Sequence, residues 1–510
     1  MQKPYSARDH LPEELYRAEQ VRQLDQIVIQ QQGIPAFDLM ERAGEAAFAA
    51  LLGRWPEANN LCVFAGRGNN GGDAYVVAAL AKHHGMQVCF YALGDHDKLS
   101  PEAAQARDMA IEAGVDIQSW QGQTCCNSDL FVDGLLGTGL TGDVSGDYLT
   151  AIEAINRNNK AEVLALDIPS GLCADTGRVL GSAVKADMTI SFIGVKQGML
   201  TLDGPDYCGL LGFADLGTAK ASRVQISDFK QRISWSLLDK NNQLLAARGG
   251  NSHKGANGHL LVVGGDYGTA GAALMASQSA LRSGAGLVTC LTQPEHVAAS
   301  LAACPEVMVN GVQSGLELDK PLAAASVIVA GPGLGQRSWG QLLLQRLIAE
   351  AEQTQKPLVL DADALNLLGR FPQVRDLTGP VIMTPHPGEA ARLLNCSVAD
   401  VQQDRFAAVE KLAHTYKAVV ILKGQGSLIS DGQQTFVCTD GNPGMATGGM
   451  GDILAGVIGA LLAQGLSPLS SAKLAVCGHS AAADLACEDG QIGLMATDLL
   501  PHIRRLVQQK

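Results

Sequence analysis

Aromatic side chains are scarce in this chain, at 5% of 510 residues. No apolar stretch reaches the roughly 18 uninterrupted residues that a membrane-spanning helix needs, so no membrane partner is expected. Basic residues are outnumbered, with 38 Lys+Arg against 51 Asp+Glu and a formal net charge of −13. Proteins that grip nucleic-acid phosphates need the opposite balance, so no nucleic-acid partner is expected either. The 12 cysteines include no CxxC pair, and the adjacent Cys125-Cys126 does not match metal-ligand spacing. Cys62, Cys89, Cys290 and Cys477 lie in apolar runs, which points to reduced core thiols. Residues 1–32 are polar and helix-prone and lack the apolar core of a signal peptide. The expected address is the cytoplasm.

What the chain does have is glycine, 58 residues of it, and 46% hydrophobic residues. Its length exceeds what one ordinary core supports and predicts two or more domains. Apolar runs ending in polar, glycine-bearing turns alternate with helical segments. Leu61–Ala65, Gln87–Ala92, Asp129–Asp133, Glu162–Asp167 and Met188–Phe192 are the expected strands of a first half. Gly258–Gly265, Ala324–Ala330, Pro357–Asp361, Val381–Thr384 and Ala418–Lys423 repeat the pattern in a second. The fold class is α/β, with parallel sheets and ligands at the carboxyl ends of the strands. Periodicity weakens over residues 218–245, which places the boundary there and gives domains 1–225 and 226–510.

The most telling stretch is Asn442-Pro-Gly-Met-Ala-Thr-Gly-Gly-Met-Gly-Asp452, followed by the apolar segment Ile453–Leu462. A glycine-rich turn that opens a helix is an anion site, because its N–H groups point outward and the helix dipole adds positive charge. Asp452 at that mouth would repel phosphate. Taking a proton from a hydroxyl that attacks a phosphoryl group gives it a chemical reason to be there. An Asp capping a glycine turn is the plainer alternative.

Lys423-Gly424-Gln425-Gly426-Ser427 follows a strand and suits phosphate or ribose contacts, unless it is an ordinary hairpin turn. His386-Pro-Gly-Glu389 caps another strand end and shares an edge with Asp361, Asp363 and Asn366. Gly331-Pro-Gly-Leu-Gly335 is a glycine turn without the Gly-Lys-Ser/Thr of a Walker loop, so the phosphate chemistry is of another design.

His386–Glu389, Lys423–Ser427 and Asn442–Asp452, in this order and spacing, resemble the ADP/ATP-dependent NAD(P)H-hydrate dehydratases over roughly residues 240–505. The resemblance implies a ribokinase-like α/β domain. It implies Asp452 as catalytic base, and substrate contacts from Gly271, Gly333, His386 and Asp452. It also implies ADP or ATP held by Lys423, Gly424, Gln425, Gly426, Ser427 and Gly451, with Mg²⁺ on the phosphates and Glu389 beside its waters.

In the first half, Gly66-Arg-Gly-Asn69-Asn70-Gly71-Gly72-Asp73 fits a dinucleotide fingerprint only loosely. Asn carbonyls are neutral hard oxygens that suit a monovalent cation or ribose hydroxyls. Asp133-Gly-Leu-Leu-Gly-Thr-Gly-Leu-Thr-Gly-Asp143 and Asp167-Ile-Pro-Ser170-Gly171 add carboxylates and a hydroxyl at two more strand ends. Together these resemble the NAD(P)H-hydrate epimerase domain over roughly residues 10–220, on a Rossmann-like parallel sheet.

The resemblance implies K⁺ on Asn70, Asp133 and Ser170, and Asp167 as acid/base. It implies substrate contacts from Asn69, Asn70, Gly71, Gly72, Asp73, Gly137, Thr138, Gly139, Leu140, Thr141, Gly142, Asp143 and Asp167. Ala74 stands where the family often has Gly. Both halves together resemble the bifunctional nicotinamide-nucleotide repair enzymes, whose substrates are the hydrates of NADH and NADPH. A homo-oligomer is expected. The competing expectation is a small-molecule kinase of the ribokinase superfamily with an N-terminal nucleotide-binding scaffold module. A Rossmann oxidoreductase fits less well, because no hydride-transfer partner set is visible.

Overall fold

The computed structural model of the chain describes residues 10–122, 128–218, 226–241, 243–245, 247–370 and 377–507. Cys125-Cys126 and residue 225 of the expected boundary lie outside them. The chain divides into two compact units between Gln231 and Arg232, slightly beyond the expected 225/226. The strand Lys230–Ile233 crosses that point. Its Lys230 and Gln231 pair antiparallel with Leu15 and Glu14, while the carbonyl of Ile233 accepts from the Thr439 N–H at 3.0 Å.

In the first unit, parallel strands stand in the spatial order Ile117–Ser119, Gln87–Ala92, Asn60–Ala65, Leu130–Gly134, Glu162–Leu166, Met188–Phe192 and Leu210–Ala214. The two outermost strands were not expected from sequence: Ile117–Ser119 has a single apolar residue, and the apolar Leu210–Ala214 follows a short turn that hid it. Strand order reverses at Asn60–Ala65, which opens a crevice at its carboxyl end and that of Leu130–Gly134. Side chains alternate along Asn60–Ala65. Leu61, Val63 and Ala65 join the core that includes Tyr75, Val76 and Ala79, whereas Cys62 and Phe64 join Ile152, Ile155 and Trp120 on the opposite face. A sheet covered on both faces explains why its strands read as continuous apolar runs.

The glycine run expected as a loop is already helical, since the helix Asn69–His83 begins inside it. Glycine is a poor helix former, so another cause must hold it there. A Cβ at Gly72 would lie 2.5 Å from the Met40 sulfur, and one at Gly71 would collide with the Gly66 carbonyl. Close packing selects these glycines. Ala74 is fully buried, and its methyl lies opposite Gly134, where an added Cβ would stand 2.6 Å away.

In the second unit the spatial order is Met308–Gly311, Leu287–Thr292, His259–Val263, Val327–Ala330, Leu358–Leu360, Val381–Met383 and Val419–Leu422, all parallel. Leu428–Ser430 and Thr435–Cys438 then add an antiparallel hairpin. The order reverses at His259–Val263. The helix Met450–Ala463 packs its apolar length over Leu260, Val262 and Val329 and against the helix Ala270–Arg282. Gly449 precedes it with φ 91°, a left-handed conformation that glycine adopts without strain.

Candidate active sites

Each unit gathers its predicted polar residues at the carboxyl edge of its sheet. In the second unit Asp361 ends the strand Leu358–Leu360 and is almost wholly buried. Its Oδ1 accepts from Thr384 Oγ1 at 2.6 Å and from Lys423 Nζ at 2.9 Å. Lys423 Nζ also lies 3.9 Å from Glu389 Oε2. Burial opposes the charge on Lys423, but Asp361 and Glu389 outweigh it and hold the ammonium above its ordinary range.

Gly451 stands over this cluster. A Cβ there would be 3.3 Å from Lys423 Nζ and 3.6 Å from Asp361 Oδ2. Asp452 is therefore in the first turn of the helix, beside a cation and two carboxylates. Burial and then Asp361 push its carboxyl up to about 7, with Lys423 opposing and Asp363 adding. A carboxyl poised near neutrality is suited to taking a proton.

His386 caps the helix Pro387–Leu394 in a reciprocal box. Its Nδ1 accepts from Gly388 N at 3.0 Å, while Glu389 Oε2 accepts from His386 N at 2.8 Å. Burial, together with Lys423 and Arg392, holds the ring below its ordinary pKa. Gly333 belongs to a turn whose carbonyl accepts from Thr269 Oγ1 at 2.8 Å and from Asp266 N at 2.6 Å. Gly271, in the first turn of the helix Ala270–Arg282, has open space where a side chain would be. The Gly331–Gly335 turn thus sits against Asp266 and Thr269, which follow the strand His259–Val263 at the switch point.

The Lys423–Ser427 loop rests on Arg405, which sequence reasoning missed. Arg405 is buried, with Nη2 donating to the carbonyls of Leu422 at 3.3 Å and Gly426 at 3.5 Å. A Cβ at Gly424, where φ is 147°, would collide with its guanidinium. Ser427 Oγ donates to the Gly424 carbonyl at 3.0 Å. His479 was missed too. Its buried ring, with Nε2 unpartnered, is pushed down to about 4 by burial and packs behind the start of the Met450–Ala463 helix. Both residues sit in helices with no motif around them, so the sequence carried no signal.

In the first unit a cavity of about 760 Å³ opens at the switch point. Asn69, Asn70, Asp73, Asp167 and the whole run Gly137, Thr138, Gly139, Leu140, Thr141, Gly142 and Asp143 line it. Gly71 and Gly72 do not. Their N–H groups donate to the Gly68 carbonyl, and their missing side chains serve the packing described above.

Below the cavity, Asp133 accepts from Ser170 Oγ at 2.6 Å and Ser170 N at 2.8 Å. Burial pushes Asp133 up to about 6, against those bonds. Asn70 Nδ2 donates to the Leu136 carbonyl at 3.3 Å, and Ser170 Oγ donates to the same carbonyl at 3.1 Å. Asn70 Oδ1 is buried without a partner. An orphaned neutral oxygen beside a hydroxyl and a carboxylate suits a monovalent cation.

Asp167 sits just past its strand with φ 62° and is ion-paired with Lys196. Lys196 is fully buried, and its Nζ also donates to Ser191 Oγ at 3.1 Å. Asp25, on the helix Ala18–Gln31, lines the same cavity. Neither Lys196 nor Asp25 was expected. Lys196 stood out only as a charge in a mostly apolar run, and Asp25, in a polar helical segment, did not stand out at all.

Each α/β unit thus carries a polar cluster at the carboxyl edge of its sheet, the first at its switch point and the second at the ends of Leu358–Leu360, Val381–Met383 and Val419–Leu422, so the chain has two candidate sites. The family described as NAD(P)H-hydrate dehydratase matches residues 260–505, and the YjeF-related protein N-terminus matches residues 36–198. The bifunctional NAD(P)H-hydrate repair enzyme of Coxiella burnetii is 46% identical over 97% of this chain and 99% of its own length. That of Escherichia coli is 42% identical over 98% and 94%. A ribokinase-like superfamily protein from Enterococcus faecalis superposes with a TM-score of 0.50 at 30% identity, covering 54% of this chain and 94% of its own. This chain belongs to the family of bifunctional NAD(P)H-hydrate repair enzymes, and its second unit has the ribokinase-like fold.

Proposed function

We propose that the chain restores hydrated NADH and NADPH, the family's activity, with the first unit interconverting the R and S epimers and the second dehydrating the S form. The observation that carries the dehydratase half is Asp452, pushed up to about 7 at a glycine-rich helix N-terminus beside Lys423. Asp452 takes the proton from the substrate hydroxyl. The oxygen attacks the terminal phosphoryl group of ADP, an O–P bond forms, and AMP leaves. The helix N-terminus at Gly448–Gly451 stabilises the charge that develops. The C–O bond then breaks, pushed by the ring nitrogen. Phosphate leaves, the neighbouring carbon loses a proton, and the ring double bond returns.

Lys423–Ser427 and Gly451 hold the nucleotide, and Gly271, Gly333 and His386 hold the substrate. Mg²⁺ supplies charge neutralisation on the phosphates. Glu389, which caps its own helix and faces Lys423, is proposed to orient the waters of that ion rather than to ligate it. In the first unit, Asn70, Asp133 and Ser170 would hold K⁺, and Asn69, Asn70, Asp73, the Gly137–Asp143 loop and Asp167 hold the nucleotide hydrate. The domains of the proposal are 1–225 and 226–510, adjusted to the structural division at Gln231/Arg232. No described helix is long and apolar enough to cross a membrane, and the cytoplasm is the proposed address.

The test uses an R/S mixture of NADH hydrate with Mg²⁺ and K⁺, with and without ADP or ATP, and follows NADH absorbance. Nucleotide-dependent recovery beyond the S fraction, faster than spontaneous epimerisation, is expected. Recovery that stops at the S fraction would remove the epimerase half. A phosphorylated product without NADH would make the chain a kinase.

A further inference from the structure

We propose that Asp25 is the second acid–base residue of the epimerase site, giving and taking the proton that Asp167 does not. This rests on the epimerase reading above. Inverting the hydroxyl-bearing carbon means breaking one of its bonds and remaking it on the other face. If the ring opens, a base takes the hydroxyl proton, the C–N electron pair goes to nitrogen, and an acid protonates the opened enamine. The aldehyde turns about its C–C bond and the steps reverse. If water leaves instead, an acid protonates the hydroxyl and a base takes a proton from the returning water. In both routes one proton is given for each one taken and no oxidant is needed, and a second group on another wall of the cavity lets the two transfers proceed from different sides of the ring.

Asp167 supplies one of the two. Its carboxylate is committed to the buried Lys196 and also accepts from Phe192 N at 3.1 Å. Asp25 comes from a different element, the helix Ala18–Gln31, and lines the same cavity. Val21, Ile29, Leu39 and Met40 make that wall apolar. The charged groups around it are Asp73 from the helix Asn69–His83, Asp167 from the strand end and Lys196, with Arg22 on its own helix and Arg67, Glu102 and Asp143 elsewhere on the cavity wall. Burial, and then the charge of Asp167, push Asp25 up to about 7. It therefore exchanges protons near neutrality, as a donor facing an ion-paired carboxylate must. Asp73 is buried deeper, and burial raises its carboxyl too, so it serves as the comparison in the test.

The experiment uses the full chain with Asp25→Asn, Asp25→Glu and Asp73→Asn, assayed with ADP, Mg²⁺ and K⁺. Dehydration of pure S hydrate and repair of R-enriched hydrate are measured separately. Asp25→Asn should lower kcat for R repair by about 100-fold or more with little change in KM. It should also flatten the alkaline limb of that reaction's pH profile. Asp25→Glu should recover part of kcat. The S-hydrate rate and the melting temperature show whether the chain is folded.

A kcat within threefold of wild type, an unchanged alkaline limb, or a loss that Glu does not relieve at all would overturn the assignment. The same losses from Asp73→Asn in place of Asp25→Asn would also overturn it. Wild-type protein that never converts R to S would instead overturn the epimerase reading itself.

Discussion

Asp452 binds its proton more tightly in the folded chain than an ordinary carboxyl does, with a pKa of about 7 against 3.8. Ionising it therefore costs stability, and that contribution is lost as pH rises from about 4 to about 7. The same ionisation creates the base, so the dehydratase rate should climb through about pH 7 as stability falls. Asp452→Asn cannot ionise. Its dehydration of S hydrate should fall by about 10²–10⁴-fold. Its melting temperature should exceed wild type at pH 8 and match it at pH 4. Scanning calorimetry at the two pH values checks the second half, and an equal or lower melting temperature at pH 8 would refute it. Asn70 offers a second test. If its orphaned Oδ1 meets K⁺, replacing Li⁺ by K⁺ should raise the melting temperature of wild type but not of Asn70→Ala.

At the scale of elements, glycine does two different jobs in this chain. Gly449 gives the Met450–Ala463 helix its left-handed entry, and Gly451 clears the space over Lys423. Further along, Gly456 and Gly459 let the helix approach its neighbours. A Cβ at Gly456 would collide with the Ala276 carbonyl and Ser279 Oγ, and one at Gly459 would stand 2.6 Å from Val329. Alanine is the better helix former, yet overpacking a filled core costs about 1–3 kcal/mol. Gly456→Ala should therefore destabilise the second unit by about that much in urea titration, despite its gain in propensity. A more stable variant would mean that the two helices can move apart. The Asn69–His83 helix follows the same logic, and there local reading went wrong. Five residues rich in glycine and asparagine look like a loop, and only contact with Met40 and Gly66 makes a helix of them.

At the scale of the whole molecule, each unit holds its own site residues within its own sheet edge. Asp452→Asn in the full chain should leave conversion of R to S hydrate at the wild-type rate. A parallel loss of both activities, followed by separating the epimers, would show that the sites depend on each other.

The two sheets, their main strands and the motifs at their ends were legible in the sequence, because apolar runs and glycine turns are local properties of the chain. So were Asp452, Lys423, Asn70, Asp133 and Asp167 as candidates, since each sits at the end of such a run. Three things were not legible: the partnership of Asp361 with Thr384 and Lys423, Arg405 beneath the glycine loop, and Asp25 and Lys196 around Asp167. Those side chains come from elements far apart in sequence. Only the crossovers of the folded sheet bring them within reach of one another.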